Sequence, residues 1–276
     1  MMQRDVPIQS FVIRLGGQAV HVRQMGAGNG LPLLLVHGFG GSATNWQLTQ
    51  QVLATNRRVI AFDLPGHGQS PALVDPPTLV RLAQVTSHVL AGLGVRRAHV
   101  LGHSLGGGIA LSLCSINPEQ VASLSLLAPA GLGRDVNMAF ITGFVEASTV
   151  ADMAAAMGMA VYDPRLIGRK VAEFLVQARA APGARAALRD IAQTCFPHGQ
   201  QANDLRPLLQ SPPCPVQIIW GRDDRVLPAT QAQGLPLTVP CHYLPHTGHL
   251  PHIEQAAEVN GMVRDFLKTH EKTRPE

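Results

Sequence analysis

The segment at 100–108, VLGHSLGGG, constrains the fold of this chain more than any other part of the sequence. Gly102, Ser104 and Gly106 form the pattern G-x-S-x-G between a predicted strand at 98–101 and a predicted helix at 109–116. In this context the pattern places the serine on a sharp turn and leaves its hydroxyl exposed. Glycine is needed on both sides because larger side chains would collide in so tight a turn. The segment therefore predicts a strand–turn–helix unit that presents Ser104 as a nucleophile.

Predicted strands and helices alternate through both ends of the chain. The strands are expected at 11–15, 19–23, 31–36, 58–62, 98–101, 121–127, 215–220 and 241–244, and the helices at 43–53, 78–93, 109–116 and 254–268. The first two strands flank Gly16-Gly17, which is typical of a β-hairpin. This order predicts an α/β fold with an eight-stranded, mostly parallel sheet and helices on both faces. Ligands of such sheets bind at the carboxyl ends of the strands, where His37 and Ser104 fall.

The middle of the chain has a different character. Residues 132–209 are rich in Ala, Met and Arg, and they have helical periodicity without strand alternation. We expect this interval to be a helical cap inserted into a core made of residues 1–131 and 210–276. Its large apolar residues line a substrate pocket or form the core of the cap; they are Met138, Phe140, Phe144, Met153, Met157, Met159 and Phe174.

Composition and charge exclude several classes of function. No apolar run reaches the ~18 residues of a membrane span, and residues 1–7 lack the apolar core of a signal peptide. We therefore expect a cytoplasmic protein without a membrane partner. The net charge is +4, but the basic residues are scattered and the chain has only two Trp and two Tyr, so we expect no nucleic-acid partner. The four cysteines show no C-x-x-C spacing and are expected to be free thiols.

Acidic and histidine residues follow Ser104 in the order that a serine nucleophile on an α/β sheet requires. The acid is Asp223 or Asp224, and the histidine is one of His246, His249 and His252. Each lies just after a predicted strand, so one edge of the sheet can bring the three groups together. A metal site built from the three histidines is not expected, because prolines at 245 and 251 break any helix that would align them. We expect no metal and no cofactor.

At this point the sequence resembles the α/β-hydrolase superfamily over nearly its whole length. The resemblance rests on four motifs: W-G-x-x-D-x-x-x-P at 220–228, G-H-x-P at 248–251, H-G-x-G at 37–40 and D-x-P-G-x-G-x-S at 63–70. It implies that Asp224 is the acid of a catalytic triad and that His249 is its base. It also implies that the backbone N–H groups of Phe39 and Leu105 form the oxyanion hole.

Residues around this constellation are expected to touch the substrate. They are His37, Gly38, His103, Phe140 and Phe144. We expect His37 to order its loop as well, and His103 to pack beside the nucleophile.

The segments at 41–46, 127–133 and 143–147, with Asn137, are similar to the hydrolase domain of the acetyltransferase components of acetoin dehydrogenase complexes. We expect no lipoyl domain before Gln9, and the H-x-x-x-D-G motif of lipoyl-dependent acyltransferases is absent from the sequence, so the chain is expected to depart from those proteins. These departures favour hydrolysis over acyl transfer to coenzyme A.

The leading hypothesis is hydrolysis of a small carboxylic ester or thioester through an acyl-enzyme on Ser104. Three alternatives stay open: hydrolysis of a carbon–carbon bond in a dienone, a cofactor-free perhydrolase, and an accessory or acyltransferase-like subunit of an acetoin dehydrogenase complex. Epoxide hydrolysis and dehalogenation are disfavoured, because those reactions need an aspartate where this chain has Ser104. The sequence leaves the oligomeric state open, and a homo-oligomer is one alternative.

Overall fold

Eight strands form one sheet in the computed structural model, which describes residues 7–72 and 75–271. They are β1 Gln9–Leu15, β2 Gln18–Met25, β3 Leu33–Val36, β4 Val59–Phe62, β5 Ala98–His103, β6 Val121–Leu127, β7 Val216–Gly221 and β8 Cys241–Leu244. Their order across the sheet is β1-β2-β4-β3-β5-β6-β7-β8. β1 pairs antiparallel with β2, and β2 pairs antiparallel with β4, whereas every other pairing is parallel. The expected fold class is confirmed; the prediction about a signal peptide concerns residues that lie mostly outside the described ranges.

The hairpin at the start of the sheet forms around its two glycines. Gly16 has φ 56° and Gly17 has φ 90°. A two-residue turn with positive φ at both positions has the twist that joins antiparallel strands, and glycine adopts it without steric cost. The turn fixes the β1–β2 register, in which Leu15 faces Gln18.

The central strands are buried on both faces because helices cover both. Alternate residues of β3 belong to different apolar clusters: Leu34 and Val36 pack in one, and Leu33 and Leu35 in the other. This is the period of two that a pleated strand imposes on its side chains. A continuous apolar run such as Leu33–Val36 therefore indicates a strand between two helical layers.

Ten α-helices occur in the described ranges. They are α1 Gln47–Leu53, α2 Leu79–Gly92, α3 Leu105–Ile116, α4 Met138–Glu146, α5 Val150–Gly158, α6 Arg169–Ala178, α7 Ala184–Cys195, α8 Arg206–Gln210, α9 Pro251–Glu254 and α10 Ala256–Glu271. The predicted helix at 43–53 begins as a 3₁₀ turn, Ala43–Trp46. The helix predicted from 254 is interrupted at Gln255, whose φ of −128° and ψ of 44° are not helical. None of these helices is both long and apolar enough to cross a membrane.

Helices α4 to α8 lie between β6 and β7, in the interval expected to form the cap. Part of their apolar surface packs in a cluster separate from the two that cover the sheet, with Phe144, Met153, Ala156 and Leu188 among its members. The domain boundaries at 132 and 209 stay predictions, and α8 runs one residue past the second of them.

Candidate active site

Ser104 occupies the turn between β5 and α3, and its backbone adopts φ 53° and ψ −118°. This is a conformation that a residue with a side chain seldom adopts, and it persists only where its surroundings hold it. Here the Ser104 N–H donates to Leu127 O at 2.9 Å, and Ser104 O accepts from the N–H of Ala130 at 2.9 Å. A Cβ atom on Gly106 would overlap the Val36 carbonyl, so the turn can pack against β3 only with glycine there. The predicted strand–turn–helix unit is present.

His249 lies between Ser104 and Asp224 and is hydrogen-bonded to both. Its Nδ1–H donates to Asp224 Oδ2 at 2.7 Å, and its Nε2 accepts from Ser104 Oγ at 2.9 Å. The tautomer follows from the partners, because a carboxylate can only accept. All three side chains are buried, and the structure brings together the three residues that the sequence motifs had singled out.

The carboxylate of Asp224 accepts hydrogen bonds on both oxygens. Oδ1 takes the backbone N–H of Val226 at 2.8 Å and of Leu227 at 3.0 Å. Oδ2 takes the indole N–H of Trp220 at 2.9 Å in addition to His249. These donors hold the carboxylate in one orientation. Asp223, the alternative acid, is exposed.

Glu254 supports the loop of His249, and the sequence analysis did not single it out. Its carboxylate accepts from Gly248 N at 3.0 Å and from Leu250 N at 3.1 Å, the two neighbours of His249. It also accepts from Tyr162 N at 2.7 Å, in the segment between α5 and α6. The local sequence gives no capping-box signal for this role, because the N-cap of α9 is Leu250 and Glu254 lies four residues after it.

The structure places both residues of the predicted oxyanion hole near Ser104, since Phe39 lines the same cavity and Leu105 is the next residue in the chain. Leu105 is the first residue of α3, so its N–H has no acceptor within the helix. The N–H of Phe39 is bonded to no atom of the described residues, whereas that of the next residue, Gly40, donates to His67 Nε2 at 3.1 Å. The pair predicted as an oxyanion hole is therefore free to bind a negatively charged oxygen.

His37 orders the loops beside the cavity instead of lining it. Its Nδ1–H donates to Gly38 O at 2.8 Å, and its Nε2 accepts from Leu64 N at 3.0 Å. His37 is not among the residues that line the cavity, and both of its ring nitrogens are bonded to backbone, so its contact with substrate stays a prediction. Burial lowers the pKa of His37, which keeps the ring neutral and able to accept from Leu64.

His103 and His252 continue the buried histidine cluster on the other side of His249. His103 Nε2–H donates to His249 O at 2.7 Å, and His103 is among the residues that line the cavity. His252 packs between Trp46 and His103, with ring centroids 4.7 and 4.6 Å away. Burial lowers the pKa of His252 to about 3 and that of His103 well below its usual value, so both rings are neutral near pH 7.

A cavity of about 260 Å³ opens in front of Ser104 and is covered by the inserted helices. The predicted contact residues Gly38, His103, Phe140 and Phe144 line it, as do Met157 and Phe174. Met153 is fully buried in the cluster of the inserted helices and does not line the cavity. The large apolar residues of 132–209 are therefore divided between the cavity wall and the apolar cluster of the inserted helices.

The three histidines that are spaced three residues apart lie in different surroundings. They are His246, His249 and His252. His246 packs on Tyr162 with ring centroids 5.1 Å apart, while the other two are held as described above. No group of three or more His, Cys, Asp or Glu residues within 7–72 and 75–271 is arranged to hold a metal ion.

The family of the chain follows from comparison with known proteins. A model described as the alpha/beta hydrolase family matches residues 33–262. The chain belongs to this family. Its place in the alpha/beta hydrolase family agrees with the sheet order, with the serine turn after β5 and with the inserted helices that follow β6.

Similar proteins in the alpha/beta hydrolase family are named for different activities. The dihydrolipoyllysine-residue acetyltransferase component of the acetoin cleaving system of Pseudomonas putida is 37% identical, over 93% of this chain and 68% of that protein. The 2-hydroxymuconate semialdehyde hydrolase of Pseudomonas sp. strain CF600 is 30% identical, over 87% of this chain and 88% of its own length. Among solved structures, a meta-cleavage product hydrolase of Pseudomonas fluorescens IP01 superposes with a TM-score of 0.84 at 25% identity, covering 94% of this chain and 97% of that one.

Proposed function

We propose that this protein is a serine hydrolase that cleaves a carboxylic ester or thioester through an acyl-enzyme. The observation that carries the proposal is the continuous set of hydrogen bonds from Asp224 through His249 to Ser104 at 2.7 and 2.9 Å, beside two free N–H groups and a cavity. A serine hydroxyl is a weak nucleophile unless an adjacent base takes its proton, and this arrangement supplies the base.

In the proposed reaction Ser104 Oγ attacks the carbonyl carbon while His249 Nε2 takes its proton. The N–H groups of Phe39 and Leu105 stabilise the oxyanion of the tetrahedral intermediate. His249 then gives the proton to the leaving alcohol or thiol, and Asp224 stabilises the imidazolium between the two steps. A water molecule activated by the same histidine hydrolyses the acyl-enzyme and restores Ser104.

The test compares the unmodified protein with Ser104→Ala and with Ser112→Ala. Ser112 is a buried serine on α3 that does not line the cavity. We expect Ser104→Ala to lower kcat on p-nitrophenyl acetate by about 10⁴-fold or more, and Ser112→Ala to leave it within a few fold. A fluorophosphonate probe should label the unmodified protein and Ser112→Ala on Ser104. Full activity of Ser104→Ala would overturn the proposal.

Carbon–carbon bond hydrolysis is a second candidate because a relative at 30% identity is named a 2-hydroxymuconate semialdehyde hydrolase. This reaction would use the same serine and histidine on a ketone in place of an ester. Loss of absorbance from a coloured dienone without turnover of p-nitrophenyl esters would favour it. An accessory role in an acetoin-cleaving complex, suggested by the 37% identical relative, would instead give no fluorophosphonate adduct on Ser104.

A further inference from the structure

The cavity in front of Ser104 has no charged side chain from Asp, Glu, Lys or Arg among the described residues that line it. Its polar lining groups are those of Thr44, Asn45, His103, Ser104 and His249, and the rest of the wall is apolar or glycine. A charged group that the substrate carried away from Ser104, out of reach of the Phe39 and Leu105 N–H groups, would lose its hydration in the cavity without gaining a partner of opposite charge. Such burial of an unpaired charge is strongly unfavourable. The wall therefore selects against a substrate with a charged chain.

The entrance of the same cavity carries large apolar side chains that remain exposed to solvent. Leu166, Val171 and Phe174 come from α6 and the segment before it, and Ile253 comes from α9. They are 40 to 56% exposed although large apolar residues tend to be buried. Together they form an apolar rim that is continuous with the wall of the cavity.

The volume of the cavity is small for the site of a complete substrate. At about 260 Å³ it lies just below the range of about 300–1,000 Å³ that is usual for ligand pockets. An ester larger than a short acyl and alcohol pair would therefore extend from Ser104 through the entrance. There its chain would contact the rim and remove apolar surface from water on both molecules.

We infer that the substrate is an uncharged ester or thioester with an apolar chain that passes through the entrance and lies on the rim of Leu166, Val171, Phe174 and Ile253. This inference rests on the proposed function and adds the substrate class and the residues that select it. Phe174, the most exposed of the four, is the residue on which the longest chains depend most.

A chain-length series tests the role of the rim. Burial of one methylene group corresponds to up to about a fourfold gain in kcat/KM. We therefore expect kcat/KM to rise from acetyl to decanoyl p-nitrophenyl esters. If the alcohol part of the substrate carries the chain, the rise should instead appear along a matched series of alkyl acetates. Phe174→Ser should lower kcat/KM about fivefold more for the long ester than for the acetyl ester, whereas Phe174→Leu should keep most of the preference for the long ester. Leu237→Ser is the control, since Leu237 is fully exposed and does not line the cavity. If kcat/KM does not change with chain length in either series, or if Phe174→Ser lowers it equally for short and long esters, the inference is overturned while the proposed function stays in place.

Binding of non-hydrolysable ligands tests the same inference without turnover. Calorimetric titration of the unmodified protein should show that 2-decanone binds at least about tenfold more tightly than 2-butanone, because only the longer chain reaches the rim and buries apolar surface there. Phe174→Ser should weaken the binding of 2-decanone. Equal binding of the two ketones would overturn the inference whether or not esters are hydrolysed, whereas absent ester turnover and absent labelling of Ser104 would count against the proposed function alone.

Discussion

At the scale of single residues, the sequence motifs identified the residues that meet in front of the cavity but not what holds them there. Asp224 was assigned over Asp223 only through a family motif, and the structure gives the physical difference: one carboxylate is buried among N–H donors and the other is exposed. The indole of Trp220 donates to Asp224 at 2.9 Å. Sequence could not predict that contact, because it depends on the path of the loop after β7.

Asp224→Asn should lower kcat on p-nitrophenyl acetate by about 10⁴-fold while the protein still folds. The amide of asparagine is close in shape to the carboxylate, but it carries no charge to stabilise the imidazolium. Its NH₂ group must also face His249 or one of the backbone donors that now bind the carboxylate. Steady-state kinetics will measure kcat, and circular dichroism will check that the variant is folded. The control is Asp223→Asn, at the exposed neighbouring residue, which should keep kcat within a few fold. A loss confined to Asp223→Asn would mean that the acid was assigned to the wrong residue.

His252→Phe should reduce the sensitivity of the fold to acid. The pKa of His252 is about 3 in the folded protein, chiefly because of burial, and neither ring nitrogen has a hydrogen-bond partner among the described residues. Below pH 6.5 the unfolded chain binds a proton that the folded chain does not, so stability is full above pH 6.5 and falls as the pH drops towards 3. At pH 5 this one histidine accounts for about 2 kcal/mol of lost stability.

Phenylalanine keeps the stacking on Trp46 and His103 but cannot take a proton. Urea unfolding at pH 7.5 and pH 5 should therefore show that His252→Phe loses about 2 kcal/mol less stability between these values than the unmodified protein does. His246→Phe, at the more exposed histidine that packs on Tyr162, is the comparison variant. An equal loss in His252→Phe and the unmodified protein would show that the proton binds elsewhere.

At the scale of secondary-structure elements, strands were predicted more closely than helix ends. β6 and β8 have the predicted bounds, since an apolar run between turn residues is a local signal. The helix expected at 109–116 begins at Leu105, directly after Ser104. The glycines at 106–108 are tolerated in it because packing against β3 and Pro129 requires residues without side chains. Tertiary contact overrode the low helix propensity of glycine, and this is the reason that a sequence pattern alone placed the start too late.

Two helical glycines should respond to alanine in opposite ways. In α3, a Cβ atom at Gly106 would overlap backbone carbonyls of Val36 and His37, which cannot move without separating the turn from β3. In α10, Gly261 has only the Arg264 side chain near, at 3.9 Å. We expect Gly106→Ala to destabilise the protein by several kcal/mol or to prevent folding, and Gly261→Ala to stabilise it by about 0.5–1 kcal/mol. Urea denaturation checks both, and a Gly106→Ala protein of unchanged stability would contradict the packing described for the serine turn.

At the scale of the whole molecule, the alternation of strands and helices predicted a mostly parallel sheet but not its strand order. β4 lies between β2 and β3, and this order is set by crossover connections that no local pattern records. The junction between inserted helices and core was likewise not predicted. Ala160 O accepts from His249 N at 2.8 Å, although the two residues are far apart in sequence. The position of His249 therefore depends on the inserted helices as well as on the strand before it.

Glu254 joins these two parts of the molecule, so its removal should affect catalysis and stability together. Its two oxygens accept from Gly248 and Leu250 beside His249 and from Tyr162 in the inserted segment. Glutamine at this position offers one oxygen and turns an NH₂ group towards backbone donors, which leaves buried donors unpaired at a cost of about 1–3 kcal/mol. We expect Glu254→Gln to lower the unfolding free energy by this amount, and to reduce kcat on p-nitrophenyl acetate about tenfold because the imidazole is held less well.

Glu258→Gln is the matched control for this change, because Glu258 is exposed on α10. It should leave both the unfolding free energy and kcat close to those of the unmodified protein. If Glu254→Gln lowers stability but leaves kcat and its pH profile unchanged, Glu254 only supports the fold. If kcat falls together with stability while KM for the acetyl ester is little altered, the contact between the inserted helices and the core sets the position of His249. The reason is that a loss in kcat alone reports an interaction made in the transition state.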